Sequence, residues 1–162
     1  MKFEKVSRAE WVKAVSKFNN PNLEVEYDDL IIPTRKTASS AGYDFYAPYD
    51  FEIAPNSKLL IPTGIKAQID SDKVLMIAPR SSIGIKHGIR MSNTQGYIDS
   101  DYYNNIDNEG HIFIELENTK MTASFKCTKG DRFVQGIILK YFTTEDDNST
   151  EIRTGGIGST GK

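Results

Sequence analysis

The chain has 162 residues, a length suited to one domain that buries roughly 70% of the surface its unfolded form exposes. A formal net charge of -2 and a pI of about 5.7 exclude the basic excess of a nucleic-acid binder, so an anionic ligand must be held by local donors and metal. The single cysteine, Cys127, excludes an internal disulfide, and the two histidines, His87 and His111, lie too far apart in sequence to support transition-metal ligation. The N-terminus carries charges throughout, with no apolar signal core, and no run approaches membrane-spanning length. A soluble, reduced, cytoplasmic protein is the expectation, with neither nucleic acid nor membrane as partner.

The first predicted element is a helix. Ser7 and Glu10 form a capping-box pattern, and Trp11, Val15 and Phe18 recur at helical spacing before the break at Asn19-Asn20-Pro21. Nothing in this helix carries chemistry, which points to packing or to an interface. After Leu30 the texture changes to runs of four to eight residues separated by Pro, Gly, Asn and Asp, the pattern of an all-β barrel or sandwich. In GHIFIELEN, alternation places Ile112, Ile114 and Leu116 on one face and Phe113, Glu115 and Glu117 on the other. Residues 143–150, TTEDDNST, poorly support a packed core, and a glycine-rich tail follows, expected to be mobile until ligand orders it. The chain is read as one domain over 1–162, with 1–29 a helical extension and 143–162 a linker and terminal motif.

Five segments carry the candidate chemistry: AGYDFYAP from Ala41, PRSSIGIKHGI from Pro79, GYIDSDY from Gly96, KGDRFVQ from Lys129 and GGIGSTGK from Gly155. Together they supply what polyphosphate hydrolysis needs: carboxylates, anion-binding turns and glycine-rich closure. Gly96 and the strand-like Tyr97-Ile98 suggest a hairpin presenting Asp99, although an aspartate in a turn ordinarily bonds its own backbone. Arg80, Ser81 and Ser82 follow a strand and open a turn able to hold an anion, or Arg80 serves as an ion-pair partner. Gly130-Asp131 reads as a hairpin turn ahead of Arg132 and Gln135. Asp44 is a turn cap or, since magnesium keeps several waters, an outer-shell helper for that ion. His87 reads as packing around its turn, and His111, at the start of a strand, as a surface residue.

The order and wording of these five segments resemble the motifs of the trimeric dUTP diphosphatases, from about Leu30 to Lys162. The resemblance implies a jelly-roll-like barrel with a flexible C-terminal arm, and a homotrimer whose sites each draw on three subunits. It also implies hydrolysis of dUTP to dUMP and pyrophosphate with Mg2+. It places the water-activating aspartate at Asp99, with Asp101 a structural neighbour, and the tyrosine under the deoxyribose at Tyr102. Uracil recognition falls to the backbone around Asn93, Gly96 and Ile98. The phosphate contacts fall to Ser81 and Gln135, with Arg80 and Ser82 in the same turn and Arg132 on the phosphates or bracing the site. Ser82 stands where glycine is common in the family. In the closing motif, Ser159 and Thr160 match the γ-phosphate pair. Ile157, between Gly156 and Gly158, replaces the phenylalanine that usually stacks on uracil, and Arg153 stands one residue nearer to it than is common. Phe113 is a candidate replacement for the missing aromatic.

Two other readings follow from the same residues. The related dCTP deaminases share the fold and an RSS turn and use a strand glutamate, which Glu115 matches in place; otherwise Glu115 lies on a solvated strand face. A nucleotide sensor without efficient turnover would account for Ile157 and the N-terminal helix, but not for Asp99.

Overall fold

Short apolar runs bounded by turn residues form strands here because each is too short to bury a helical stripe, while alternation offers one clean face to a core. The computed structural model describes residues 1–18, 27–151, 153 and 155. In chain order its elements are β1 (Lys2–Lys5), α1 (Arg8–Val15), β2 (Tyr43–Tyr46), β3 (Phe51–Ile53), β4 (Ser57–Pro62), β5 (Ile65–Gln68), β6 (Lys73–Pro79), α2 (Ser81–His87), β7 (Ile89–Met91), β8 (Gly96–Ile98), β9 (Phe113–Asn118), β10 (Phe125–Cys127) and β11 (Arg132–Lys140). The strands form a four-stranded sheet, β2-β11-β6-β8, a three-stranded one, β4-β9-β7, and two separate antiparallel pairs, β1-β5 and β3-β10. The result is the expected all-β, jelly-roll-like fold.

The core lies between the sheets, where Phe45, Leu75, Ile77 and Phe133 meet Ile53, Ile61, Ile114 and Leu116. In β9 the predicted alternation holds: Ile114, Leu116 and Asn118 are buried, while Phe113, Glu115 and Glu117 are half-buried. Gly130 has a φ of 82°, the left-handed conformation its turn before β11 requires. Cys127 is free and buried; burial first, then the charges of Asp131 and Asp50, push its thiol up to about 12, so it stays protonated and unreactive.

Residues 1–29 contribute more than a helix. β1 adds a strand beside β5, with Phe3 opposite Ala67, and α1 buries Trp11 and Val15 completely, so the helix has the packing role. The predicted capping box forms only in part. The Ser7 hydroxyl accepts from the Glu10 N–H at 3.1 Å, but it is Glu109, from the far side of the chain, whose carboxylate accepts from the Ser7 N–H at 2.9 Å. Glu10 turns inward instead, to His111.

His111 is not on the surface, as its position at a strand start suggested: it is fully buried. Its Nε2 accepts from the Gly64 N–H at 2.8 Å, so the ring proton sits on Nδ1, which donates to Glu10 Oε1 at 3.3 Å. Burial holds the His111 pKa below its ordinary 6.5, outweighing the opposing pull of Glu10. For Glu10, burial alone would raise the pKa, but the bonds from His111 and Lys13 together hold it below 4.5. Linkage then fixes a sign. The unfolded chain protonates His111 near pH 6.5 while the folded chain resists, so stability is full above that pH and falls as pH drops from 6.5 toward the lower folded value. Glu10 and Glu109, both lowered below 4.5, withdraw stability only at more acid pH. Thermal melts from pH 7.5 to 5 should show the melting temperature falling, with a shallower slope in His111→Gln. Identical slopes would assign the acid sensitivity elsewhere.

Candidate active site

The chain turns sharply after β7, where the Thr94 N–H donates to the Met91 carbonyl at 3.1 Å and Thr94 takes a φ of 70°. The hairpin that Gly96 and Tyr97-Ile98 suggested does not form, since β8 pairs with β6 and leads straight into a helical turn. β7 pairs with β9 in one sheet and β8 with β6 in the other, so the turn carries the chain across the core and delivers Asp99 at the exit of β8. One helical turn, Ser100–Tyr102, follows directly, and it buries Tyr102 while leaving Asp99 exposed.

These residues surround a cavity of about 460 Å3. Its apolar walls come from Leu60, Ile77, Met91, Ile98 and Ile114, and its polar groups from Asn93, Asp99, Glu115 and Arg153. Tyr97, Tyr102 and Phe113 supply aromatic surface, and Gly96 completes the segment from β8. Asn93, Gly96, Ile98, Asp99 and Tyr102, which the resemblance assigned to uracil, water and sugar, thus line one cavity, and Arg153, named with the closing motif, lies among them. Leu60 and Tyr97 were not, since nothing in a strand's alternation tells which outward residues share a hollow. Glu115 faces this cavity rather than a solvated strand face.

Tyr102 is held firmly. Its hydroxyl donates to the His111 carbonyl at 2.9 Å and accepts from Asn108 Nδ2 at 2.8 Å. Burial raises its pKa, partly opposed by Asn108 and Arg153, so it remains a protonated donor. The approach of chain segments here is close: a Cβ at Gly110, where φ is 80°, would lie 2.6 Å from the Tyr102 carbonyl oxygen. Arg153 spans both carboxylates, donating from Nη2 to Asp99 Oδ2 at 2.8 Å and from Nε to Asp101 Oδ1 at 2.9 Å, with its guanidinium 5.8 Å from the Tyr102 ring centroid.

The remaining predicted residues form a second cluster. Asp44 is buried on β2 and accepts from Arg80 Nε at 3.0 Å through Oδ1 and from Arg132 Nη1 at 2.9 Å through Oδ2. Gln135 lies opposite Asp44 on β11, and its amide rests against Gly42, where a Cβ would come within 2.6 Å of Oε1. Ser81 and Ser82 open α2, a seven-residue helix rather than a simple turn, and Arg80 occupies its N-cap position. His87 packs its ring 5.3 Å from Phe125, in keeping with a packing role.

The two clusters lie at opposite ends of β6. Ile98 pairs with Leu75, so Asp99 leaves the sheet beside Val74, whereas Arg80 follows Pro79 at the other end. Six residues of strand at about 3.3 Å each separate these levels by roughly 20 Å. None of Asp44, Arg80, Ser81, Ser82, Arg132 or Gln135 lines the Asp99 cavity. Gly156, Ile157, Gly158, Ser159 and Thr160 lie outside the described residues.

Comparison with known proteins identifies the architecture. A family model described as dUTPase matches residues 28–161. The deoxyuridine 5'-triphosphate nucleotidohydrolase of Lactococcus lactis subsp. lactis is 40% identical over 151 residues, covering 92% of this chain and 95% of that protein. The crystal structure of dUTPase from Streptococcus mutans superposes with a TM-score of 0.69 at 33% identity, over 90% of this chain and 99% of that one. A mutant dUTPase from phage phi11 of S. aureus, whose structure details the coordination of a structural Mg(II) ion, shares the fold at a TM-score of 0.65 and 19% identity, over 76% of this chain and 92% of its own. With the family model spanning most of its length and a relative at 40% identity, the chain belongs to the dUTPase family.

Proposed function

We propose that this protein is a dUTP diphosphatase that hydrolyses dUTP to dUMP and pyrophosphate. The observation that carries the reading is an exposed carboxylate, Asp99, at a cavity whose wall is the fixed ring of Tyr102 and whose lining includes Asn93, Gly96 and Ile98. Uracil occupies the pocket along 93–98, read by backbone groups, and the deoxyribose lies on Tyr102. A ribose 2'-hydroxyl pressed against that ring would be buried without a partner, which disfavours UTP. Asp99 takes a proton from water as the water oxygen bonds to the α-phosphorus; the bond to the bridging oxygen breaks in line, and pyrophosphate leaves. Arg153 uses two of its five N–H groups on Asp99 and Asp101, leaving the others for phosphate oxygens. Phe113, lining the same cavity, offers the aromatic surface that Ile157 lacks.

Along the sheet from Asp99 in one chain, Ser81, beyond the end of β6, is roughly 20 Å away, and Gln135 and Asp44, level with Ala78, are roughly 13 Å away, by the same strand spacing. A general base must act within about 3 Å of the attacking water. A complete site therefore joins the Asp99 cavity of one subunit to the Asp44 cluster of another, which supports the homotrimer that the family resemblance implies.

Asp44 fits magnesium only through water. Each of its oxygens already accepts from a guanidinium but keeps a lone pair, and among the described residues no group of three or more acidic, His or Cys side chains stands ready for direct ligation. When bound with substrate, Mg2+ supplies charge neutralisation on the phosphates. We place the enzyme in the cytoplasm, limiting dUTP and supplying dUMP for thymidylate synthesis. No helix among the described residues is long and apolar enough to cross a membrane.

Product analysis tests the reading. With dUTP and Mg2+, pyrophosphate and dUMP should appear in equal amounts; dUTP binding without product would point to a sensor instead. Glu115 facing the cavity favours one second reading, dCTP deamination. Ammonia released from dCTP and lost in Glu115→Gln would establish it.

A further inference from the structure

Helix α1 and its N-cap Ser7 lie outside every segment that carries the hydrolytic chemistry, yet they grip the segment behind the nucleoside cavity at three points. The Ser7 N–H and hydroxyl donate to the Glu109 carboxylate at 2.9 and 2.5 Å. Glu10 accepts from His111 Nδ1, and the Lys13 ammonium donates to the Asp107 carbonyl. All three contacts fall within residues 107–111. That segment in turn holds Tyr102, whose hydroxyl is fixed by the His111 carbonyl and the Asn108 amide.

His111 is the shared support behind two walls of the cavity. Its carbonyl anchors Tyr102, and its ring lies 4.3 Å from that of Phe113, centroid to centroid. The ring itself cannot rotate without losing a bond, because Gly64 occupies Nε2 and Glu10 occupies Nδ1. A buried imidazole and a buried carboxylate are costly to desolvate, and an apolar side chain would fill the same space at less cost. What the pair adds over such a filler is a single orientation of ring and backbone.

We infer that Glu10 and His111 are positioning residues for sugar discrimination, setting the separation of Tyr102 and Phe113 so that a deoxyribose fits and a ribose does not. The inference rests on the reading of this cavity as the nucleoside site. It brings the N-terminal helix into substrate selection without any contact to substrate.

The test compares Glu10→Ala, Glu10→Gln and Val15→Ala in the full-length protein, measuring kcat and KM for dUTP and UTP beside the melting temperature. Val15 is fully buried on the same helix and, with an apolar side chain, makes none of this network's side-chain hydrogen bonds, so it controls for helix loosening. In Glu10→Ala the dUTP-over-UTP preference in kcat/KM should fall by about tenfold or more, mainly through KM for dUTP, with kcat for dUTP within about twofold. Glu10→Gln still offers an acceptor to Nδ1 and should retain the preference; Val15→Ala should melt earlier with its preference intact. If wild type hydrolyses dUTP and Glu10→Ala keeps its preference, or Val15→Ala loses it equally, the positioning role is wrong. If wild type neither binds nor hydrolyses dUTP, the reading of the cavity fails first and this one with it.

Discussion

Replacing Asp99 by asparagine should lower kcat for dUTP by about 10³-fold, in the range a positioned general base contributes, while KM stays within about threefold. The split follows from geometry. Asparagine is close in shape to aspartate, and its carbonyl oxygen can still accept from Arg153 Nη2, which now donates to Asp99 Oδ2 at 2.8 Å. The second bond of that guanidinium, to Asp101, is untouched, so the cavity keeps its form. What the amide cannot do is take a proton from water. Pyrophosphate-release kinetics, read beside equilibrium binding of a non-hydrolysable dUTP analogue, separate the two effects. A variant that binds normally and turns over within tenfold of wild type would remove Asp99 from the role of base.

Asn93, Gly96, Ile98, Asp99 and Tyr102 were legible because the wording of GYIDSDY and the segment before it resembles a family motif; spacing alone marked a strand and a turn carrying a carboxylate. The alternation of β9 was legible from local spacing, because a strand's two faces alternate residue by residue. Long-range pairings were not. Glu10 and His111 are 101 residues apart, and a histidine at a strand start shows no periodicity to mark it as buried. Glu109 capping α1 from 102 residues away displaced a capping box that the local pattern had completed with Glu10. GYIDSDY has the look of a hairpin, but the strand that β8 pairs with is β6, which local spacing does not show. Asp44 was recognised as important from its motif, yet its clamp between Arg80 and Arg132 unites three separate segments.

That clamp, and its separation from Asp99 along β6, leads to the most demanding test of the proposed trimer. Two inactive proteins are needed: Asp99→Asn, which spoils the cavity, and the double variant Ser81→Ala with Gln135→Ala, which spoils the phosphate cluster. Each alone should be nearly silent. When subunits are exchanged at equal amounts, a site takes its cavity from one chain and its cluster from a neighbour. Each contribution is intact with a chance of one half, so about a quarter of the sites become whole, provided assembly is random and closed by threefold symmetry. Activity should therefore rise from near zero to about a quarter of wild type, in a species whose mass by light scattering is three chains. The gain requires a shared site, because a site complete within one chain would carry one lesion or the other in every subunit. Mixtures that exchange fully, as shown by differently tagged chains, yet stay at the level of the parents would place both clusters on one subunit's substrate and overturn the trimeric arrangement.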